Sequence, residues 1–318
     1  MIELIGTLVG AAVIGIILMA VISPLESMGW WAGWVGVEKT PETDEQMEEL
    51  QKKAEEVDEI DHYVVFLTGI AGVDQEIYMP EEQEFLRRLG QSLEHAVIVD
   101  DIYPYSVTNR ALTGQRAFAW FWRFALRRKS EGGMAGFLIN VRNMFQVLVS
   151  ADRRYGPMYN RGSAQMVLDG LIRHGYQPQS EATVDVIGYS GGGQIALGAA
   201  RYLNERTGGP LHVISLGGVM AADPGVLYLD HLYHIRGELD KVQRIGQRIF
   251  PGRWPIMRNS FWNRALLRGK ITFIEMGPIA HSGAGGYLDV DSQLDDGESF
   301  MDKTVATIAG LIEQDGPQ

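Results

Sequence analysis

Short apolar runs alternate with amphipathic stretches along most of the chain, and this alternation predicts its class. Tyr63-Val64-Val65-Phe66-Leu67, His95 to Val99, Thr183 to Ile187, Leu211 to Leu216, His231 to Ile235 and Lys270 to Met276 read as buried strands. Helical patterns fall between and after them, near 136–149, 163–174, 194–200 and 300–312. In the last of these, Val305, Ile308, Leu311 and Ile312 recur at helical spacing behind Ser299, a natural N-cap. Strands alternating with helices imply an α/β fold with a mainly parallel sheet covered on both faces. From Ile102 to Ala182 the chain makes a long, mostly helical excursion that such a sheet does not require.

The N-terminal pattern differs. Leu4 to Ile22 is apolar apart from Thr7 and glycines and carries no charge. About 20 helical residues span the roughly 30 Å hydrocarbon core, so this stretch is expected to be a transmembrane anchor. A signal peptide fits less well, because Glu3 and no Lys or Arg precede the apolar run, and no small-residue cleavage site follows it. Trp30, Trp31 and Trp34 come next, and such rings favour the boundary between membrane and water. The first three lysines, Lys39, Lys52 and Lys53, lie on the C-terminal side and tilt the orientation toward a cytoplasmic main domain. Thr40-Pro41-Glu42 then reads as a helix start. The expected division is an anchor over 1–37, an acidic helical linker over 38–60 and a folded domain over 61–318, with a helical cap at about 103–160.

Charge sharpens this division. The net charge is −12, which argues against a nucleic-acid partner. Residues 38–61 alone carry −8, leaving −4 for the rest of the chain. The chain has no cysteine, so disulfides, thiolate catalysis and cysteine-ligated metal are excluded. In the excursion, Phe118, Trp120, Phe121, Trp122 and Phe124 are interleaved with Arg123, Arg127, Arg128 and Lys129. They read as the core of a cap, as the lining of an acyl pocket, or as a face laid on a bilayer.

The chemistry collects at Gly188-Tyr189-Ser190-Gly191-Gly192, between a strand and a helix of small residues. Glycines two residues to either side of a serine let a sharp turn pack against its neighbours and expose the hydroxyl, which is the nucleophile-elbow pattern. A tight Gly/Ser turn that only packs, or that cradles a phosphate, shares the same five residues. Two features further along decide between these readings. Asp240 lies just past the strand 231–235, and His281 just past the strand 270–276, among small residues. Glu238 and Asp223 compete with Asp240 for the acid's place. Asp100 and Asp101 end an earlier strand and read as turn caps. His62, His95, His212, His231 and His234 lie at or within strands, and His174 closes a helix, all structural positions. No G-x-G-x-x-G opens the first helix, so a dinucleotide fold fits poorly.

The elbow, the order Ser…Asp…His and the strand–helix alternation together resemble the α/β-hydrolases over residues 61–318. The resemblance implies Ser190 as nucleophile, His281 as general base and then acid, and Asp240 as the carboxylate that orients it. It also implies an oxyanion hole of backbone amides from Gly191 and Ile70. Where that family often has His-Gly in the loop after the first strand, this chain has Thr68-Gly69. The expected activity is cleavage of carboxylic esters, of lipophilic or acylated substrates, with no metal or organic cofactor. The same triad serves thioesters and amides, and an inactive fold used as a membrane-tethered binding module is the alternative from another class.

Overall fold

The computed structural model describes residues 23–25, 28–29, 31–32, 60–72, 78–107, 134–294 and 297–314. The expected membrane span at 4–22, the acidic segment at 38–59 and the aromatic and basic stretch of the excursion at 118–129 lie outside these residues. Among the described residues, no helix is long and apolar enough to cross a membrane.

The protein is an α/β fold built on six parallel strands: β1 (His62–Leu67), β2 (Ala96–Val99), β3 (Thr183–Tyr189), β4 (Leu211–Leu216), β5 (His231–Arg236) and β6 (Ile271–Glu275). Their spatial order is β2-β1-β3-β4-β5-β6. Every residue of β1, β3 and β4 is buried, as expected for parallel strands roofed on both sides. The register pairs β-branched and aliphatic side chains across strands, for example Val65 with Val186 and Ile187 with Ile214.

Successive side chains on a strand point to opposite faces, so each strand feeds two cores. On one face Val64, Phe66, Ile187, Ile214 and Ile235 pack with α1 (Pro80–Ser92) and α7 (Phe300–Gln314). On the other, Val65, Leu67, Val186, Val213 and Leu232 pack under α2 (Met134–Ala151), α3 (Gly156–Arg173), α4 (Gly191–Asn204) and α6 (Phe261–Leu267). Another helix, α5 (Gln243–Ile249), leads off the end of β5. Local signals account for the ends of these helices. Glu82, in the first turn of α1, accepts from the Met79 amide at 3.2 Å. Ser299 accepts from the Asp302 amide at 3.0 Å at the start of α7. Within the region expected to form a cap, α2 and the start of α3 are described, and both pack against α4.

The order of strands places the site. From β1 the chain steps outward to β2, then crosses back to β3 and continues in the opposite direction through β6. The connections leaving β1 and β3 therefore diverge, which opens a crevice beyond their carboxyl ends.

Candidate active site

Ser190 sits at that crevice, one residue past the end of β3 and one before the start of α4. Its backbone takes φ 53° and ψ −115°, a left-handed conformation that costs a non-glycine residue about 1–3 kcal/mol. The surrounding backbone holds it there. The Ser190 amide donates to the Leu216 carbonyl at 3.0 Å, and its carbonyl accepts from Gly193 and Val219, each at 3.2 Å. Glycine is required on both sides of the turn. A Cβ at Gly188 would lie 2.6 Å from the Gly193 Cα, and one at Gly192 would lie 2.3 Å from the Leu67 carbonyl oxygen.

Ser190, His281 and Asp240 come together. The Ser190 hydroxyl lies 2.8 Å from His281 Nε2, and His281 Nδ1 lies 2.9 Å from Asp240 Oδ2. With Nδ1–H donating to the carboxylate, Nε2 is left to accept from the serine hydroxyl. Asp240 is fully buried, and all its partners are donors. Oδ2 also accepts from the Tyr287 hydroxyl at 2.9 Å, while Oδ1 accepts from the amides of Val242 at 2.8 Å and Gln243 at 3.1 Å. Burial alone would raise the Asp240 carboxyl. The hydrogen bond and charge of His281, aided by the Gln243 amide and Tyr287, outweigh it and hold the group below its ordinary value. Ser190 is 7% exposed and the His281 side chain 13%, so the pair is shielded from bulk water.

The histidine is held from behind as well. The Tyr189 hydroxyl donates to the His281 carbonyl at 2.8 Å, and the two rings stack with centroids 5.7 Å apart. Tyr287 donates to Asp240 and accepts from the Gly237 amide at 2.7 Å. Burial and the adjacent Asp240 carboxylate push its phenol well above the ordinary value, so it remains a donor. Gly217 closes the set with φ +58°. A Cβ there would lie 2.6 Å from the Tyr287 ring and 2.9 Å from Asp240 Oδ2.

The loop after β1 passes beside the serine. A Cβ on Gly69 would lie 3.5 Å from that of Ser190, and a Cβ on Gly191 would lie 2.7 Å from the Ile70 side chain. Buried groups brace this loop. Glu82 accepts from the Thr68 hydroxyl at 2.6 Å and the Gly69 amide at 3.4 Å. Tyr105 donates to the Thr68 carbonyl at 2.8 Å, and Asn143 donates to the carbonyls of Ile70 and Gly72, both at 2.8 Å. Burial pushes the Glu82 carboxyl above its ordinary value, against the hydrogen bonds it accepts. The amide of Gly191, at the first position of α4, has no intrahelical acceptor.

The competing residues lie elsewhere. Glu238 is exposed, Asp101 pairs with Arg173, and Asp223 accepts from the Gly225 amide at 2.8 Å. His62 and His212 both bond to Asp185, His174 to the Gly170 carbonyl, and His231 to Thr272. His234 meets Ser215 at 3.1 Å and, among the described residues, has no carboxylate partner. Burial, with the charges of Arg253 and Arg236, pushes it well below its ordinary value, so it is neutral. A cavity of about 380 Å³ lies on the outer side of α3, lined by Trp31, Arg161, Gln165 and Arg206, none of which belongs to the Ser190 set. Among the described residues, no group of three or more His, Asp or Glu is arranged to hold a metal ion.

Sequence reasoning did not single out Tyr287, Glu82 or Asn143. Each acts on a group 14 to 73 residues away along the chain, and no local pattern marks such a partner. No protein-family model and no curated protein matches this chain. Its class rests on the fold: a parallel α/β sheet with a polar cluster at the carboxyl ends of its strands.

Proposed function

We propose that the protein is a serine hydrolase that cleaves carboxylic esters of lipophilic or acylated substrates. The observation that carries this reading is the unbroken series Ser190–His281–Asp240, with contacts of 2.8 and 2.9 Å, built on a strained serine at the sheet's switch point. The six-stranded parallel sheet flanked by helices is compatible with a hydrolase fold.

In this reading the Ser190 oxygen attacks the ester carbonyl while His281 Nε2 takes its proton. Neutral serine is a poor nucleophile, and the adjacent base makes the attack feasible. The ionised Asp240 carboxylate keeps Nδ1 protonated and stabilises the imidazolium that forms. The amides of Gly191 and Ile70 hold the oxyanion, and each such donor is worth about 10²–10³ in rate. Collapse breaks the ester C–O bond, and His281 passes its proton to the leaving alkoxide. Water then gives a proton to His281 as it attacks the acyl-serine, which releases the carboxylic acid and restores Ser190. The proposal includes a membrane tether at residues 4–22, which supports the preference for lipophilic esters.

A fluorophosphonate probe tests the chemistry. Folded wild-type protein should be labelled on Ser190, and Ser190→Ala should not; equal labelling of both would remove the mechanism. A series of p-nitrophenyl esters tests the substrate class, with turnover expected to rise with acyl length. A preference for acetate would defeat it.

A further inference from the structure

The stretch between β5 and β6 has the wrong residues outside for a loop that faces only water. Arg253 is buried, its guanidinium 3.9 Å from the Trp262 ring and bonded to the Met220 carbonyl at 3.2 Å. Ile256 is 82% exposed and Leu267 is 83% exposed, and Ile249, Trp254 and Met257 are exposed too. A buried arginine among exposed aliphatics in one stretch of chain is an informative inversion, and exposed apolar side chains in number point to a contact surface.

The segment is not slack. Trp254 Nε1 donates to the Gln247 carbonyl at 3.0 Å, tying the indole to the last turn of α5. Asn263 donates to the carbonyls of Trp254 at 2.8 Å and Met257 at 2.9 Å, and Ser260 caps α6 through the Asn263 amide at 3.2 Å. These bonds fix the turn that carries Ile256.

Its charge is equally one-sided. Residues 241–270 contain eight Lys and Arg and no Asp or Glu, in a chain whose net charge is −12. Lys241, Arg244, Arg248, Arg258, Arg264 and Arg268 are exposed, and among the described residues none of them is ion-paired.

We propose that the excursion between β5 and β6 is a docking surface for an anionic phospholipid bilayer. Aliphatic tips enter the acyl boundary, the indole of Trp254 lies at headgroup level, and the guanidinium groups meet lipid phosphates. A nucleic acid would satisfy the cations but leave Ile256 and Leu267 in water. The first amides of the excursion, from Val242 and Gln243, bond to the Asp240 carboxylate, so docking brings that end of the sheet to the lipid. Docking at this surface requires neither residues 4–22 nor the chemistry of Ser190.

The chain has no cysteine, so Ile256→Cys provides a single thiol for an environment-sensitive fluorophore. Full-chain labelled protein is placed in vesicles of phosphatidylcholine, with or without phosphatidylserine. The label should shift to the blue and be quenched by spin-labelled lipid only where phosphatidylserine is present. Each of Arg244→Gln, Arg248→Gln and Arg258→Gln should lower the docked-to-undocked ratio about five-fold, and the triple variant about a hundred-fold. A label at Ile172→Cys on α3 should stay in water, because a tether alone would leave both positions wet. Ser190→Ala should dock like the wild type, which separates this result from the hydrolase test. Absence of quenching, equal quenching in both lipids, or an undiminished signal in the triple variant, with folding checked by circular dichroism, overturns the proposal. A shift produced by an oligonucleotide without vesicles also overturns it, in favour of nucleic acid.

Discussion

Asp185 and Asp240 are both buried carboxylates bonded to a histidine Nδ1, one in the first half of β3 and the other beyond the end of β5. Asp185 lies between His62 and His212, at 2.8 and 3.0 Å, on neighbouring strands. Burial alone would raise its carboxyl, and the hydrogen bonds of the two histidines hold it below its ordinary value. Both carboxylate oxygens are taken up by the two histidines there. Around Asp240 a tyrosine and two loop amides take the places of the second histidine, so the free nitrogen of His281 reaches Ser190. Ser215 and His234 supply the complementary fragment, a serine and histidine with no acid among the described residues. A His–Asp or Ser–His contact alone is thus ordinary packing in this sheet. The candidate site is where both coincide with a strained turn at a crevice.

Substitutions can break or sharpen that comparison. The largest effect is expected at the serines. Ser190→Ala should lower ester hydrolysis about 10⁵-fold or more, while Ser215→Ala should stay within about three-fold. Equal losses would erase the distinction. At the carboxylates, Asp240→Asn should lower kcat about 10⁴-fold with stability nearly kept. Asp185→Asn should do the reverse, keeping activity and costing about 2–4 kcal/mol in denaturant unfolding. The acid limb of stability should change with it. The folded Asp185 carboxyl is held below its unfolded value, so its contribution is present above about pH 4 and is lost as pH falls through the folded value.

Asp223 shows what a buried carboxylate does without a histidine. Burial pushes it up to about 6, against the Gly225 amide and Gln194. The sign is therefore opposite: the folded state binds the proton more tightly, and stability falls as pH rises from about 4 to 6, by about 3 kcal/mol. Asp223→Asn should flatten that fall in melting curves taken across this range; an unchanged slope would mean that the group is not the source. The smallest effect is expected at Tyr287→Phe, which removes a donor to Asp240 and an acceptor for the Gly237 amide. It should cost about 1–2 kcal/mol of stability and about ten-fold in kcat/KM.

The parts legible in the sequence were local or serial. Strand runs such as 63–67 and 211–216 were visible because burial on both faces leaves mostly apolar side chains, broken in the second run only by His212 and Ser215. The elbow was visible because its glycines and serine occupy five consecutive positions, 188–192. Tyr287 was not, since one tyrosine after a glycine-rich loop carries no mark of a carboxylate 47 residues earlier. Glu82 was not legible either, since an acid in the first turn of a helix is common and carries no mark of the loop 13 and 14 residues earlier to which it bonds. The exposed Ile256 and buried Arg253 ran against any reading by hydrophobicity, because burial there follows the packing of Arg253 on Trp262 rather than side-chain polarity.

By itself the sequence determined the alternation of strands and helices, the tight turn at Ser190 and the presence of an acid and a histidine past later strands. Periodicity and glycine sterics act over a few residues and need no partner. Only the tertiary structure decided that β3 returns beside β1 to open the crevice. It also decided that Asp240 rather than Asp185 shares its histidine with a serine, and that Gly217 and Tyr287 close the set from behind. Those outcomes depend on register and on distances between residues far apart in the chain, where a shift of 1 Å separates a hydrogen bond from none.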